Sequence, residues 1–391
     1  MKKIGILTQP INSNYGGILQ NYALQTILIR MGFEVETLNW DSYRCEHDHE
    51  SIWSYIIKFS KTFISKYIFR RKRNFFWKER KYFYILSSNN SSFCEKYIKK
   101  STWLWGKKQF RDYAIKKHFD ILLVGSDQTW RPAYNKNGML YRMFLDFAEH
   151  LNVKRIAYSA SFGVDEWEYT DDQTRVCSRL LHKFDSISVR EDSGVVLCKN
   201  YFNINDVICT LDPTLLLDQK DYTNLIKQIG TPSTESEGDI LVYMLDYSLE
   251  KERMISTLSR KKGLKCSMFI SRYCNLGTVD IKEIDNYISP SCDAWLNAFL
   301  KTKYVVCDSF HGMVFSIIFN KPFIVVKNRN RGLTRFLSLL SRLNLQDRLI
   351  EDTSAEYINV IDTPIDWKKV NELITQMRKE SINYLKHSLD I

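Results

Sequence analysis

Ile121-Leu122-Leu123-Val124-Gly125-Ser126-Asp127-Gln128-Thr129-Trp130 is a run of four apolar residues, stopped by glycine and followed by four consecutive hydrogen-bonding side chains. A short unbroken apolar run bounded by a turn residue reads as a strand buried on both faces, the usual state of a strand in a parallel sheet. The same design recurs on either side of it. Upstream, Ile4-Gly5-Ile6-Leu7 reads as a strand, residues 18–31 as a helix ending before Gly32, and 35–38 as a second strand. Downstream, 156–159, 186–189 and 207–210 read as strands separated by helices near 172–183 and 192–199. Alternation of this kind predicts parallel βαβ units.

The pattern pauses after Leu211-Asp212-Pro213-Thr214 and a short helix, at a polar, turn-rich stretch from Gly230 to Gly238. It then restarts, with strands at 240–245, 265–270, 304–307 and 323–326. Helices are expected at 249–261, 292–300, 313–319 and 333–343, with a last one from 366. With 391 residues the chain is long enough for two full cores. The expectation is two Rossmann-like α/β domains, 1–220 and 221–391, facing a cleft, with the last helix packing back on the first domain. Ligands in such folds bind beyond the carboxyl ends of the strands.

Composition narrows the class. The chain is 44% hydrophobic and 26% charged, as in ordinary globular proteins, and no apolar run approaches the roughly 18 to 20 residues of a membrane span. The first apolar residues give way at Thr8, Gln9 and Pro10, too early for a signal peptide, so a cytoplasmic location is expected. Nine scattered cysteines without a CxxC pair indicate neither a disulfide framework nor a zinc site. His47 and His49 lie near Cys45 in a polar loop that reads as solvated rather than as a metal site, and no metal is expected.

The formal charge of +11 is localised. Residues 58–117, opening at Lys58 and closing at Lys117, hold 18 Lys or Arg and 3 acids, so the rest of the chain is slightly acidic. The segment is also aromatic. Ile52, Ile56, Phe59, Phe63 and Tyr67 recur at helical spacing ahead of Arg70-Arg71-Lys72-Arg73 and Phe75-Phe76-Trp77. It reads as a basic aromatic helical insertion at about 50–117 in the first domain. Two readings stand side by side: an apolar stripe packed on its own domain with lysines in water, or contact with an anionic membrane surface. Nucleic acid is not expected, because no recognised binding module surrounds the segment.

The strand-to-helix turns hold the candidate chemistry. Asn14-Tyr15-Gly16-Gly17 opens a helix, and its glycines permit either close approach to an anion or tight helix packing. Ser126, Asp127 and Gln128 follow the buried strand and suit hydroxyl groups, a reading favoured over the simpler one in which Ser126 or Asp127 caps the next helix. Arg190 in Ser188-Val189-Arg190-Glu191 offers a planar fork to a phosphate or carboxylate, or pairs with a neighbouring acid. In Cys307-Asp308-Ser309-Phe310-His311-Gly312 the helix begins near Gly312, which puts His311 at its N-terminus. There the dipole disfavours an imidazolium unless an anion or Asp308 opposes it. His311 is accordingly a candidate for proton transfer or a structural hydrogen-bonded histidine. Arg329, Arg331 and Arg335 form either a second anion-binding cluster or a solvated charged loop.

These turns together resemble the polysaccharide pyruvyl transferase family. The resemblance rests on Asn14-Tyr15-Gly16-Gly17-Ile18-Leu19-Gln20, Gly125-Ser126-Asp127-Gln128-Thr129-Trp130, Ser188-Val189-Arg190-Glu191, Leu211-Asp212-Pro213-Thr214, Asp308-Ser309-Phe310-His311-Gly312 and Phe319-Asn320-Lys321-Pro322. It implies a GT-B-like fold and transfer of pyruvate from phosphoenolpyruvate to two hydroxyls of a sugar, with no other cofactor. It also implies a role in capsular or exopolysaccharide biosynthesis. His311 matches the family's histidine, and Arg190 its first-domain arginine. Asp127 and Asp308 are expected to orient hydroxyls or the imidazole. Asn14, Gly16, Gly17, Ser126, Gln128 and Ser309 are expected at the substrates. Ser309-Phe310 departs from the Arg-Leu of several relatives, and Arg329, Arg331 or Arg335 is expected to replace the missing cation. The expected acceptor is a galactose-like or mannose-like residue closing a 4,6-ketal, carried on a polyprenyl diphosphate. The alternatives are a glycosyltransferase using a nucleotide-sugar and a non-catalytic glycan-assembly protein.

Overall fold

The computed structural model describes the chain except residues 13, 41–44, 46–51, 137, 231–237, 272–273, 329–331 and 352–356, and the side chains of 52, 54 and 55. His47, His49, Arg329, Arg331 and most of the polar 230–238 stretch therefore lie outside the described residues.

The first half runs β1 (Lys3–Leu7), α1 (Tyr15–Arg30) and β2 (Glu34–Thr37), then four helices, α2 (Ile52–Phe63), α3 (Phe76–Leu86), α4 (Ser88–Tyr97) and α5 (Lys107–Lys117). It continues through β3 (Ile121–Val124), α6 (Met139–Arg142), β4 (Lys154–Ala160), α7 (Asp171–Leu181), β5 (Ser186–Val189), α8 (Asp192–Phe202) and β6 (Ile208–Cys209). Helix α9 (Gln219–Ile229) leads to the second half: β7 (Ile240–Met244), α10 (Leu249–Lys262), β8 (Cys266–Ile270), α11 (Cys292–Lys301), β9 (Tyr304–Cys307), α12 (Phe310–Ile318), β10 (Phe323–Val326) and α13 (Thr334–Leu343). A two-residue strand, β11 (Leu349–Ile350), and the helices α14 (Tyr357–Asp362) and α15 (Trp367–Leu389) complete it.

Two parallel sheets result, ordered β2-β1-β3-β4-β5-β6 and β11-β10-β9-β7-β8. Alternation along the strands sorts side chains to opposite faces. Ile4, Ile6, Ile121 and Leu123 from the first sheet join Leu241, Tyr243, Val305 and Cys307 from the second in one continuous core, while Leu7, Leu122 and Val124 face a separate cluster. Helix α1 lies in the shared core with Ile18, Leu19, Leu24 and Leu28 fully buried, each worth about 1.5–3 kcal/mol. Its Gln20 is bonded on both sides of the amide: Nε2 donates to Thr8 Oγ1 at 2.8 Å, and the carbonyl oxygen accepts from Ser126 N at 3.1 Å. Helix α15 crosses back to the first half, where Tyr384 Oη donates to the Ala157 carbonyl of β4 and Arg378 Nε to that of Leu215 in the turn after β6.

In each sheet the chain reverses its direction of travel once, at β1/β3 and at β7/β9. Such switch points open a crevice beyond the carboxyl ends of the strands. Both crevices line one cavity, which collects Gln9 after β1, Asp127 after β3, Leu245 after β7 and Asp308 after β9.

Several details differ from the sequence expectation. Helix α1 starts at Tyr15 rather than at 18, with Asn14 as its N-cap, and α14 was not anticipated. Helix α12 starts at Phe310 rather than near Gly312, because Ser309 supplies the N-cap, so His311 sits inside the first turn. Strand β11 was not anticipated, since two residues are too few to show a period.

Candidate active site

The cavity holds about 220 Å³, and Asn12, Asn14, Asp127, Gln128, Asp308, Ser309, Phe310, His311 and Arg335 are among its lining residues. His311 reaches it because the first turn of α1 carries glycine at position 16. A Cβ on Gly16 would lie 1.9 Å from His311 Nδ1 and 2.2 Å from Cγ, so the imidazole occupies the space a side chain would fill. Asn14 caps the same helix, its Oδ1 accepting from Gly16 N at 3.1 Å.

Behind His311 lies a buried cluster of charges. Asp212 Oδ2 is 3.4 Å from His311 Nε2 and accepts from Arg190 Nη1 at 2.7 Å, while Oδ1 accepts from Thr214 N and Oγ1. Arg190 Nη2 donates to Asp127 Oδ1 at 3.2 Å. Burial alone would raise the Asp212 carboxyl, but His311 and then Arg190 outweigh it and hold it far below the usual carboxylate range. At Asp127 burial is likewise overcome, by Arg190, His311 and Arg335 in that order, and this carboxyl too is lowered. Burial acts against the Arg190 cation, and the facing Asp127 and Asp212 more than restore it.

Phe310 is flanked by guanidinium groups, Arg190 at 4.8 Å and Arg335 at 5.6 Å from its ring centroid. Arg335, from the first turn of α13, is buried and lines the cavity beside Ser309 and Phe310. Burial, and then the neighbouring Arg190, push it down to about 10.

Several expected roles change. Arg190 was expected to fork a substrate anion, but its side chain is 1% exposed and engaged by two carboxylates, so it positions Asp127 and Asp212. Asp308 was expected to orient hydroxyls or the imidazole. Its carboxylate instead accepts from the backbone N–H groups of Leu245 and Asp246, from Lys251 Nζ at 2.9 Å and from Asn328 Nδ2, and so pins the turn after β7. The carboxylate beside His311 is Asp212. Ser126 is fully buried, donates to the Ser159 carbonyl at 2.8 Å and does not line the cavity. Gly16 and Gly17 lie behind the wall, where Gly16 makes room for His311. Ser309 lines the cavity while its Oγ caps α12 through Gly312 N at 3.5 Å. Gln128 also lines it, its amide oxygen accepting from Arg131 Nη1 at 3.2 Å. Asp212 was missed as a site residue. It stands in Leu211-Asp212-Pro213-Thr214, which reads locally as an interruption of the α/β pattern, and only the tertiary fold brings it to His311.

A family model described as polysaccharide pyruvyl transferase matches residues 14–330. No curated protein matches the chain in sequence. Among solved structures, S. aureus MnaA with UDP superposes with a TM-score of 0.52 at 12% identity, over 100% of this chain and 97% of that one. UDP-GlcNAc 2-epimerase from Neisseria meningitidis bound to UDP-GlcNAc gives 0.50 at 10%, over 100% of this chain and 99% of that one. At such identities the likeness is one of fold: two facing Rossmann-like domains of the GT-B type.

Proposed function

The chain belongs to the polysaccharide pyruvyl transferase family, and from that premise we propose that its cleft moves pyruvate from phosphoenolpyruvate onto two hydroxyls of one sugar residue, giving a cyclic ketal and phosphate. The observation that carries this reading is the dyad of Asp212 and His311 at the wall of a cavity that Arg335 also lines.

The donor is an anion at both ends, so its site needs cations and unpaired backbone N–H groups. Arg335 and the first turn of α12, both at the cavity, provide them. Arg335 takes the place left by the family arginine at Ser309. In the reaction the methylene carbon of phosphoenolpyruvate gains a proton, and C2 becomes oxocarbenium-like. One sugar hydroxyl attacks C2 and yields its proton, the C2–O bond to phosphate breaks, and the second hydroxyl closes the ring with loss of its own proton. Two hydroxyl protons are released and one is taken up by carbon; the other leaves on phosphate or the base.

His311 is the proton-transfer group. Asp212 faces Nε2 and Gly16 packs against the Nδ1 edge, so the ring is held in one orientation at the cavity with a carboxylate beside it to oppose the positive charge that proton uptake creates. The 3.4 Å separation of Asp212 and Nε2 tightens into a hydrogen bond when the ring becomes cationic. Asp127, held ionised, accepts from and orients the acceptor hydroxyls. The acceptor is a galactose-like or mannose-like residue whose 4- and 6-hydroxyls close a six-membered ketal.

Thermal unfolding with phosphoenolpyruvate, and separately with nucleotide sugars, tests the donor. A ligand at 100 times its Kd stabilises by about 2.7 kcal/mol. A shift with phosphoenolpyruvate that is lost in Arg335→Met supports the reading, whereas a shift with nucleotide sugars alone moves it to glycosyl transfer.

A further inference from the structure

We propose that residues 53–81 form a docking surface for an anionic lipid bilayer, which holds the cleft where a membrane-anchored sugar acceptor would be presented; this rests on reading the cleft as a sugar-acceptor site. Among the described residues no helix is long and apolar enough to cross a membrane, so the contact is a surface one.

The first observation is apolar exposure concentrated in one place. Along α2 and the π-helical turn after it, Ile64–Ile68, Trp53 is 73% exposed, Ile68 66% and Phe69 64%, and Ile56, Ile57, Phe59, Phe63, Ile64 and Tyr67 are all exposed as well. These are not isolated side chains. Phe59 stacks on Phe75 at 5.4 Å and on Phe63 at 6.1 Å, and Phe63 reaches Tyr67 at 4.8 Å, which makes a continuous apolar ridge. A patch of this kind on a globular protein marks an interaction site.

The second observation is charge. Lys61, Arg70, Arg71, Lys72, Arg73, Lys78 and Lys81 are exposed along the same stretch. Arg71, Lys72 and Arg73 also line a groove of about 600 Å³ with Glu79 and the loop from Cys274 to Thr278, three cations to one carboxylate. Cations beside exposed aromatic and branched side chains match a surface that is anionic outside and apolar beneath. A nucleic acid would satisfy the cations but leave Ile57 and Ile68 in water. A second copy of the same surface would bring its cations against these.

The third observation is position. Helix α3 carries Tyr82 into a small core with Val279 and Ile284 of the second half, and Asn74 Nδ2 donates to the Leu276 and Val279 carbonyls. From α4, Asn90 Nδ2 donates to the carbonyl of Asn12, which lines the cavity, and Asn89 Nδ2 to that of Ser289. The ridge is thus joined through α3 and α4 to both halves of the chain and to the rim of the cleft.

Co-sedimentation of the full chain with vesicles of equal parts phosphatidylglycerol and phosphatidylcholine, and with phosphatidylcholine alone, tests the surface. Binding to the anionic vesicles is expected, weakened by salt. The quadruple variant R70Q/R71Q/K72Q/R73Q is expected to lower partitioning by about 10³-fold, since each cation near the surface contributes about fivefold. W53S/I57S is expected to abolish the salt-resistant remainder. A wild-type chain that stays in the supernatant overturns the proposal, as does a quadruple variant that binds unchanged. Binding to an oligonucleotide but not to vesicles, or a dimer abolished by W53S/I57S, overturns it in favour of those partners. The measurement uses neither donor nor acceptor. Failed vesicle binding with intact turnover on a soluble acceptor refutes the surface alone, and intact binding without sugar turnover refutes the premise about the cleft.

Discussion

Replacing Gly16 by alanine should separate activity from stability more sharply than any other single change. The new Cβ would stand 1.9 Å from His311 Nδ1 and 2.2 Å from Cγ, where ordinary contact begins at 3.4 Å, so the ring must retreat by about 1.5 Å. Its retreat is opposed by Asp212 at 3.4 Å from Nε2 and by Phe310, whose ring lies edge-on at 5.3 Å. Overpacking of this kind costs about 1–3 kcal/mol. Alanine in place of glycine in a helix returns up to about 1 kcal/mol, so the net loss of stability should stay near 0–2 kcal/mol. The catalytic loss is larger, because a misplacement of about 1 Å costs about 10²-fold and complete loss of a proton-transfer group about 10²- to 10⁴-fold. Gly17 provides the control. The atoms nearest a Cβ there would be those of Asn14, at 3.5 Å and beyond, an ordinary contact, so Gly17→Ala should keep activity within a few-fold. Ketal formation, followed by NMR, and urea unfolding would be read on both variants. A Gly16→Ala enzyme within threefold of wild type, or a Gly17→Ala enzyme equally impaired, would refute the placement of His311.

Arg190→Leu leaves Asp127 and Asp212 facing each other in the interior without their cation, so it should destabilise the chain by about 3–5 kcal/mol in urea unfolding. Arg335→Met should raise KM for phosphoenolpyruvate by at least about tenfold with a smaller change in the KM for the acceptor. Asp127 and Asp212 are both depressed in the folded state, so their stabilisation is complete above the unfolded carboxylate value near 3.9 and is lost as pH falls toward their folded values. The urea midpoint should therefore drop steeply below about pH 4, and Asp212→Asn should lower the plateau while flattening that acid limb. Asp308→Asn should weaken the turn after β7 without altering the pH profile of kcat, because its carboxylate contacts Leu245, Asp246, Lys251 and Asn328 rather than His311.

The sheets were legible because each buried strand writes itself as a short apolar run, Ile121 to Val124 and Tyr304 to Cys307 being the clearest. The turns that face the cleft were legible for the same reason: a strand that ends in Asp127 or Asp308 can only deliver it to the sheet's carboxyl edge. What a carboxylate does once there was not legible. Asp308 and Asp212 are equivalent as sequence, and their roles are decided by partners distant in the chain: Lys251 for one, Arg190 and His311 for the other. Arg190 shows the same limit, since its two possible fates, substrate or acid, depend on whether an acid waits within 3 Å. Gly16 was noted for its permissiveness, but that the space beside it belongs to an imidazole from the other domain is a fact of docking, not of local pattern.

The most direct test of pyruvyl transfer is NMR of the purified chain with phosphoenolpyruvate labelled at C2 and a panel of galactosides and mannosides bearing free 4- and 6-hydroxyls. A ketal carbon appearing in step with inorganic phosphate, and falling by about 10²-fold or more in His311→Ala, is the expected result. Turnover of a nucleotide-sugar on the same acceptors with phosphoenolpyruvate untouched, or ketal formation unchanged in His311→Ala, would contradict it.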